Sequence, residues 1–136
     1  MACLDTTFFV DLSRRSASSR RACARRKLAG LVETGESLAT TRFNVAELYV
    51  GVFRVRDAVR EEKAVRAVLD GIEILEFTDD AARLFGRITA HQQTAGRPGG
   101  DMDVLIAAVA LTAGHSVVTR NPSHFRNIPG LAVESY

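Results

Sequence analysis

The 136-residue chain has no tryptophan, three prolines, two cysteines and three histidines. Cys3 and Cys23 show no paired-ligand spacing, and so low a density excludes a disulfide scaffold; a reducing compartment is the default. His91, His115 and His124 form no close pair with one another or with a cysteine, which argues against the softer metals, and none is assigned a role. Long hydrophobic runs are missing too. The longest, Val104 to Leu111, falls far short of the ~20 residues a membrane span needs. Met1 leads straight into a short apolar strand, without the basic start and long apolar stretch of a secretory signal, so a soluble cytoplasmic protein with no membrane partner is expected. Repeats and low-complexity linkers are absent, and the length suits one domain over residues 1–136.

What is present is the composition of an ordinary globular protein, 46% hydrophobic and 25% charged, with a formal net charge of +2. The charge is unevenly placed. Arg14, Arg15, Arg20, Arg21, Arg25, Arg26 and Lys27 all precede Glu33, which makes this segment either a candidate for phosphate or acidic-partner contact or a solvated helix face.

Periodicity predicts strands and helices in alternation. Ala2 to Leu4 reads as a buried strand and Phe8, Phe9, Val10 and Leu12 as the start of a helix, so Asp5 sits at the junction. The stretch from Arg14 to Val32 is Ala-rich and helical, with Gly35 as its terminator. Leu38 to Thr41 is a strand, after which Asn44 reads as an N-cap with Glu47 three residues on, the spacing of a capping box. A charged helix runs from Asp57 to Leu69, a strand from Ile72 to Phe77, and a helix from Asp79 to Thr94 capped by Thr78, with Ala82, Phe85 and Ile88 on one stripe. Gly96, Pro98, Gly99 and Gly100 form a loop; Asp101-Met102-Asp103 opens the apolar helix Val104 to Thr112, ended by Gly114. Ser116 to Thr119 and Leu131 to Val133 complete the strands, and Asn121-Pro122 is a turn. Such alternation implies an α/β fold with a mostly parallel sheet covered on both faces.

In open parallel sheets, ligands bind beyond the carboxyl ends of the strands. Asp5 follows the first strand, Glu47 lies in the first turn of the helix after the second, and Asp101 and Asp103 start the helix that precedes the Ser116 strand. Asn121 directly follows that strand. Carboxylates gathered at one edge repel each other and raise each other's pKa unless a cation joins them, and Mg²⁺ or Mn²⁺ suits an oxygen-only donor set. Each residue also has a plainer use: Asp5 as a helix cap, Glu47 in a capping box with Asn44, Asp101 and Asp103 as dipole partners, Asn121 as a turn residue.

The segments LDTTFFVDL, NVAELYVGV, GRPGGDMDVLIAAVAL and VVTRNPSHFRNIPGL resemble, in order and over nearly the whole chain, the four motifs of PIN-domain ribonucleases, in particular toxins of the VapBC toxin–antitoxin type. The resemblance implies a three-layer α/β/α domain and Mg²⁺-dependent endoribonuclease activity, Mn²⁺ substituting. By motif, Asp5, Glu47 and Asp103 match the acidic catalytic and metal-holding positions. Asp101 is an extra carboxylate, and Asn121 stands where many relatives have a fourth Asp. Thr7 replaces a frequent Asn. Thr6 and Arg120 are candidate substrate contacts, with Asn121 an outer neighbour of the metal.

Metal-assisted phosphodiester hydrolysis is the implied mechanism, with Asp5 and Asp103 as direct ligands and Glu47 acting through water or orienting the nucleophile. The implied partners are RNA, a small antitoxin that pushes a basic side chain into the acidic pocket, and a second copy in a homodimer. Asp57 to Leu69 and the Arg-rich segment are candidate docking surfaces. Two other readings stand beside this one. The Asp-x-Asp triplet also occurs in topoisomerase–primase-like sites, but there it follows a strand and Asp5 would be left idle. A catalytically silent module would keep the fold and use its carboxylates only as caps.

Overall fold

The computed structural model describes residues 1–15, 17–97 and 100–136. Pro98 and Gly99 of the expected glycine-rich loop lie outside the described residues. Five parallel strands form one sheet: β1 (Ala2–Leu4), β2 (Leu38–Thr41), β3 (Glu73–Leu75), β4 (Ser116–Val118) and β5 (Val133–Glu134), in the order β3-β2-β1-β4-β5. Six helices connect them: α1 (Thr6–Leu12), α2 (Ser19–Glu33), α3 (Arg42–Arg54), α4 (Ala58–Leu69), α5 (Asp79–Thr94) and α6 (Asp101–Thr112). A short 3-10 turn, Pro122–Phe125, follows β4.

Alternation along β1 divides the interior into two layers. Ala2 and Leu4 face Phe8, Phe9, Ala24 and Leu31 of α1 and α2, whereas Cys3 on the opposite face joins Ile88 of α5 and Ile106, Ala107 and Ala110 of α6. Both layers dehydrate β1 completely, and burial together with the charge of Asp5 pushes the Cys3 thiol up to about 12, so it packs as a small hydrophobe.

Glycine ends two helices as expected. Gly35 and Gly114 have φ of 70° and 75°, and the next residues, Glu36 and His115, donate back to Leu31 and Ala110, which closes both helices in Schellman turns. Among the described residues, no helix is long and apolar enough to cross a membrane.

Several expected boundaries shift. The third strand covers Glu73–Leu75 rather than Ile72 to Phe77, the last covers Val133–Glu134 rather than Leu131 to Val133, and α2 begins at Ser19, where the Ser18 hydroxyl accepts from the Arg21 amide. The largest correction concerns α3. It starts at Arg42 with Thr41 as its N-cap, so Asn44 is the third helical residue and not the cap. Thr41 Oγ1 accepts from the Asn44 amide at 3.2 Å, and Asn44 Oδ1 accepts from the Thr41 amide at 3.2 Å. The capping box therefore pairs Thr41 with Asn44 and leaves Glu47 out of it.

The chain winds from β1 through β2 to β3 on one side and then crosses to β4 on the other. The carboxyl ends of β1 and β4 thus flank the point where the winding reverses, where open parallel sheets form a crevice.

Candidate active site

Asp5 emerges directly from β1, its amide held by Val118 O at 3.0 Å, and serves as N-cap residue of α1 through backbone geometry alone. Its side chain makes no cap hydrogen bond. Instead Asn44 Nδ2 donates to Oδ1 at 3.1 Å, and the hydroxyls of Thr7 and Thr119 each donate to Oδ2 at 2.8 Å. Asp5 is 6% exposed, and every one of these donors is neutral.

Asn44 is the organiser that the sequence reading misassigned. Fully buried, it accepts the Thr41 hydroxyl on Oδ1 at 2.7 Å and donates through Nδ2 to both Asp5 and Thr6 Oγ1 at 3.1 Å. Thr6 then donates to Glu47 Oε1 at 2.8 Å. One helix turn separates Asn44 from Glu47, so α3 aims both toward the end of β1, the first as an orienter and the second as an acid.

From the other wall, α6 presents Asp103 in its first turn, with Gly100 as N-cap and no side-chain cap bond. A Cβ at Gly100 would approach Asp103 Oδ2 to 3.3 Å, so glycine leaves this carboxylate its space. His124 Nδ1 lies 3.4 Å from the same oxygen. In the sequence His124 pairs with no other histidine or cysteine and carries no role; the contact with Asp103 arises only in the fold.

These residues line an open cleft of about 330 Å³, with Asp5, Glu47 and Asp103 around it and Thr6, Arg120 and Asn121 at its edges. Asn121 lines the cleft and also opens the 3-10 turn, its carbonyl accepting from the His124 amide. Asp101 does not join the cleft lining; it is exposed at the first position of α6. A larger hollow of about 490 Å³ lies between α2 and β5, but the Lys27–Glu134 ion pair sits in its wall and no comparable group of acids meets there.

Electrostatics separates these acids from mere caps. Burial, with the charges of Asp5 and Asp103, holds the Glu47 carboxyl above its ordinary value, against the opposing hydrogen bond from Thr6. Burial and Asp5 likewise raise Asp103, which His124 partly offsets. Each acid therefore feels another, and a cation would relieve the repulsion. The donor set is all hard oxygen, as Mg²⁺ and Mn²⁺ prefer. Among the described residues no three acidic, histidine or cysteine side chains converge closely enough to ligate one ion directly. Such a site fits an ion that takes one or two carboxylates and keeps its remaining positions for water and phosphate.

The sheet order, the acids at its switch point and their buried orienters define a domain class, and the match to known proteins agrees: residues 2–131 match the PIN domain. The chain belongs to the PIN-domain family. It is 32% identical over 131 residues to ribonuclease VapC19 of Mycobacterium tuberculosis, covering 96% of this chain and 97% of that protein. Its fold superposes on the VapBC2 complex of Rickettsia felis bound to a DNA fragment from their promoter, with a TM-score of 0.87 at 24% identity and coverage of 99% and 98%. VapBC-5 of Mycobacterium tuberculosis, a member of the VapBC family of toxin-antitoxin systems, superposes with a TM-score of 0.67 at 30% identity, covering 98% of this chain and 96% of that one.

Proposed function

We propose that this protein is the endoribonuclease toxin of a type II toxin–antitoxin pair, acting in the cytoplasm on RNA phosphodiester bonds with Mg²⁺ or Mn²⁺. The carrying observation is the group of three carboxylates at one cleft, Asp5, Glu47 and Asp103, the charge of Asp5 helping to raise the other two, and among the described residues none of them caps a helix with its side chain. Asp5 and Asp103 are the residues that would hold the ion. When bound, the ion supplies positive charge to the scissile phosphate and lowers the pKa of a water.

The remaining chemistry falls to the chain. Asn44, Thr7 and Thr119 fix both oxygens of Asp5 from behind, so its orientation does not depend on solvent. Thr6 holds Glu47 through Oε1, and the raised pKa suits Glu47 to take a proton from an attacking water. Arg120 and Asn121 face the cleft as candidate substrate contacts.

A small antitoxin is the expected partner, since similar folds occur in complexes of that kind. The last turns of α3, the residue that follows it and the first turn of α4 expose Val50, Phe53, Val55 and Val59 at 57%, 71%, 45% and 69%. Exposed large apolar side chains of this sort mark interfaces, and this stretch is the surface we assign to a second copy in a homodimer.

The test is cleavage of a mixed pool of single-stranded RNA by the purified chain, with Mg²⁺ or with EDTA. Fragments that need the metal and vanish in Asp5→Asn and Asp103→Asn are expected. Absence of both cleavage and Mn²⁺ binding would favour the silent-module reading.

A further inference from the structure

Beside the cleft, Asp11 is a buried acid the catalytic scheme leaves unused. It is fully inaccessible, and its Oδ1 accepts from Arg14 Nε at 3.0 Å and from Arg120 Nη1 at 2.6 Å, while Oδ2 accepts from the Tyr136 hydroxyl at 3.0 Å. Tyr136 is fixed in turn by an edge-on contact with Phe8, ring centres 5.0 Å apart. The backbone of Arg120 is pinned as well, its amide donating to Thr7 Oγ1 at 3.1 Å, the hydroxyl that reaches Asp5.

The two guanidinium groups that meet at Asp11 open into different places. Arg120 lines the 330 Å³ catalytic cleft, and Arg14 lines a neighbouring cleft of about 240 Å³. The clefts share Thr6, Val10 and Glu47, so they are consecutive parts of one track with Glu47 on the common wall. Two arginines against one aspartate leave the cluster with a net positive charge. Arg14 engages Asp11 through Nε and Arg120 through Nη1, which leaves further N–H groups of each fork outside the ion pair, and their side chains stay 38% and 28% exposed.

Resting on the ribonuclease reading, we propose that Arg14 and Arg120 are a pair of adjacent backbone-phosphate contacts that hold single-stranded RNA to one side of the reacting phosphate, with Asp11 as the positioning residue that sets their spacing. An arginine fork presented by a buried carboxylate is ordered before the strand arrives, so contact with phosphate orders little more. Phosphate contacts of this kind position the strand and carry no sequence information.

The experiment is binding of a labelled short polyuridylate to the full chain in EDTA, followed by fluorescence anisotropy across a salt series. Arg14→Ala and Arg120→Ala are each expected to weaken binding and to reduce the slope of log affinity against log salt by about 0.7, the release expected for one phosphate of a single strand. Arg120→Lys is expected to restore the slope but not the full affinity, because the charge returns without the fork. Arg87→Ala, at an exposed position of α5, is expected to leave both unchanged. Thermal melts accompany each variant, and Arg14→Gln, at the more exposed of the two sites, keeps the test open if Arg120→Ala does not fold. Wild-type slopes in the arginine variants of a protein that binds RNA overturn the inference and leave the ribonuclease reading standing. No RNA binding by wild type at any salt overturns both. Unchanged slopes together with a weakened protein complex assign the track to a protein segment, which also overturns the proposal.

Discussion

Asp5 and Asp11 sit at opposite ends of α1, both buried, yet their surroundings differ in kind. Asp5 is held by one amide and two hydroxyls, all neutral, whereas Asp11 is held by two guanidinium groups and a phenol. Neutral donors orient a carboxylate without cancelling its charge, so Asp5 still offers a negative centre to a cation. Cationic partners cancel it, and removing either side of such a pair leaves an uncompensated charge in the interior. The same residue type at similar burial thus keeps an uncompensated charge in one place and is ion-paired in the other, and only the partners distinguish them.

The comparison breaks most sharply on substitution. Asp5→Asn is expected to abolish RNA cleavage while shifting unfolding free energy, measured by urea titration, by no more than about 1 kcal/mol, since shape is kept and repulsion relieved. Asp11→Ala is expected to lower stability by about 3 kcal/mol in the same titration, because it strands Arg14, Arg120 and Tyr136 together. If the two variants exchanged these outcomes, the assignment of roles would be reversed.

Next in size is the loss of an orienter. Asn44→Ala removes the donor that Asp5 and Thr6 share and is expected to slow cleavage roughly 10–100-fold with Mg²⁺ saturating. A single-turnover assay reads this directly.

A pH effect sharpens the comparison from the other side. Glu47 and Asp103 bind protons more tightly in the folded protein than in the unfolded chain, so folding takes up protons between their ordinary values, 4.5 and 3.8, and their raised ones. Their contribution to stability is fully present below those ordinary values and is lost as pH rises through the raised ones. Metal-free protein is therefore expected to gain thermal stability as pH falls from neutrality toward that range, a gain reduced in Glu47→Gln and erased by saturating Mn²⁺. Melting curves across pH, with and without the ion, check it. The smallest effect is expected from Thr41→Ala, about 1 kcal/mol from the lost cap, with cleavage slowed only through Asn44.

How much of this was legible in the sequence follows from the range of each contact. The apolar periods of β1, α1, α5 and α6 are local, and they carry the order of elements, Asp5 at the end of β1 and Asp103 in the first turn of α6, whereas Glu47, expected in the first turn of its helix, falls in the second. Thr41 and Asn44 show the limit. Asn44 stands three residues before Glu47, which imitates a capping box, while the true box lies three residues earlier and frees Asn44 to reach Asp5 across 39 positions of chain. Asp101 reads as a site residue from its place beside Asp103 at the start of α6 and from the resemblance, whereas α6 presents Asp103 to the cleft and leaves Asp101 exposed. Asp11 with Arg120, and Asp103 with His124, meet only after β4 has been laid beside β1, so no local pattern announces them.

The most direct test of the account is calorimetric titration of Mn²⁺ into the wild-type chain and into Asp5→Asn, with circular dichroism to verify that both are folded. The account predicts saturable binding in wild type that is lost in the variant. Equal binding in both, or none in a folded wild type, would contradict the claim that Asp5 keeps its charge for a cation.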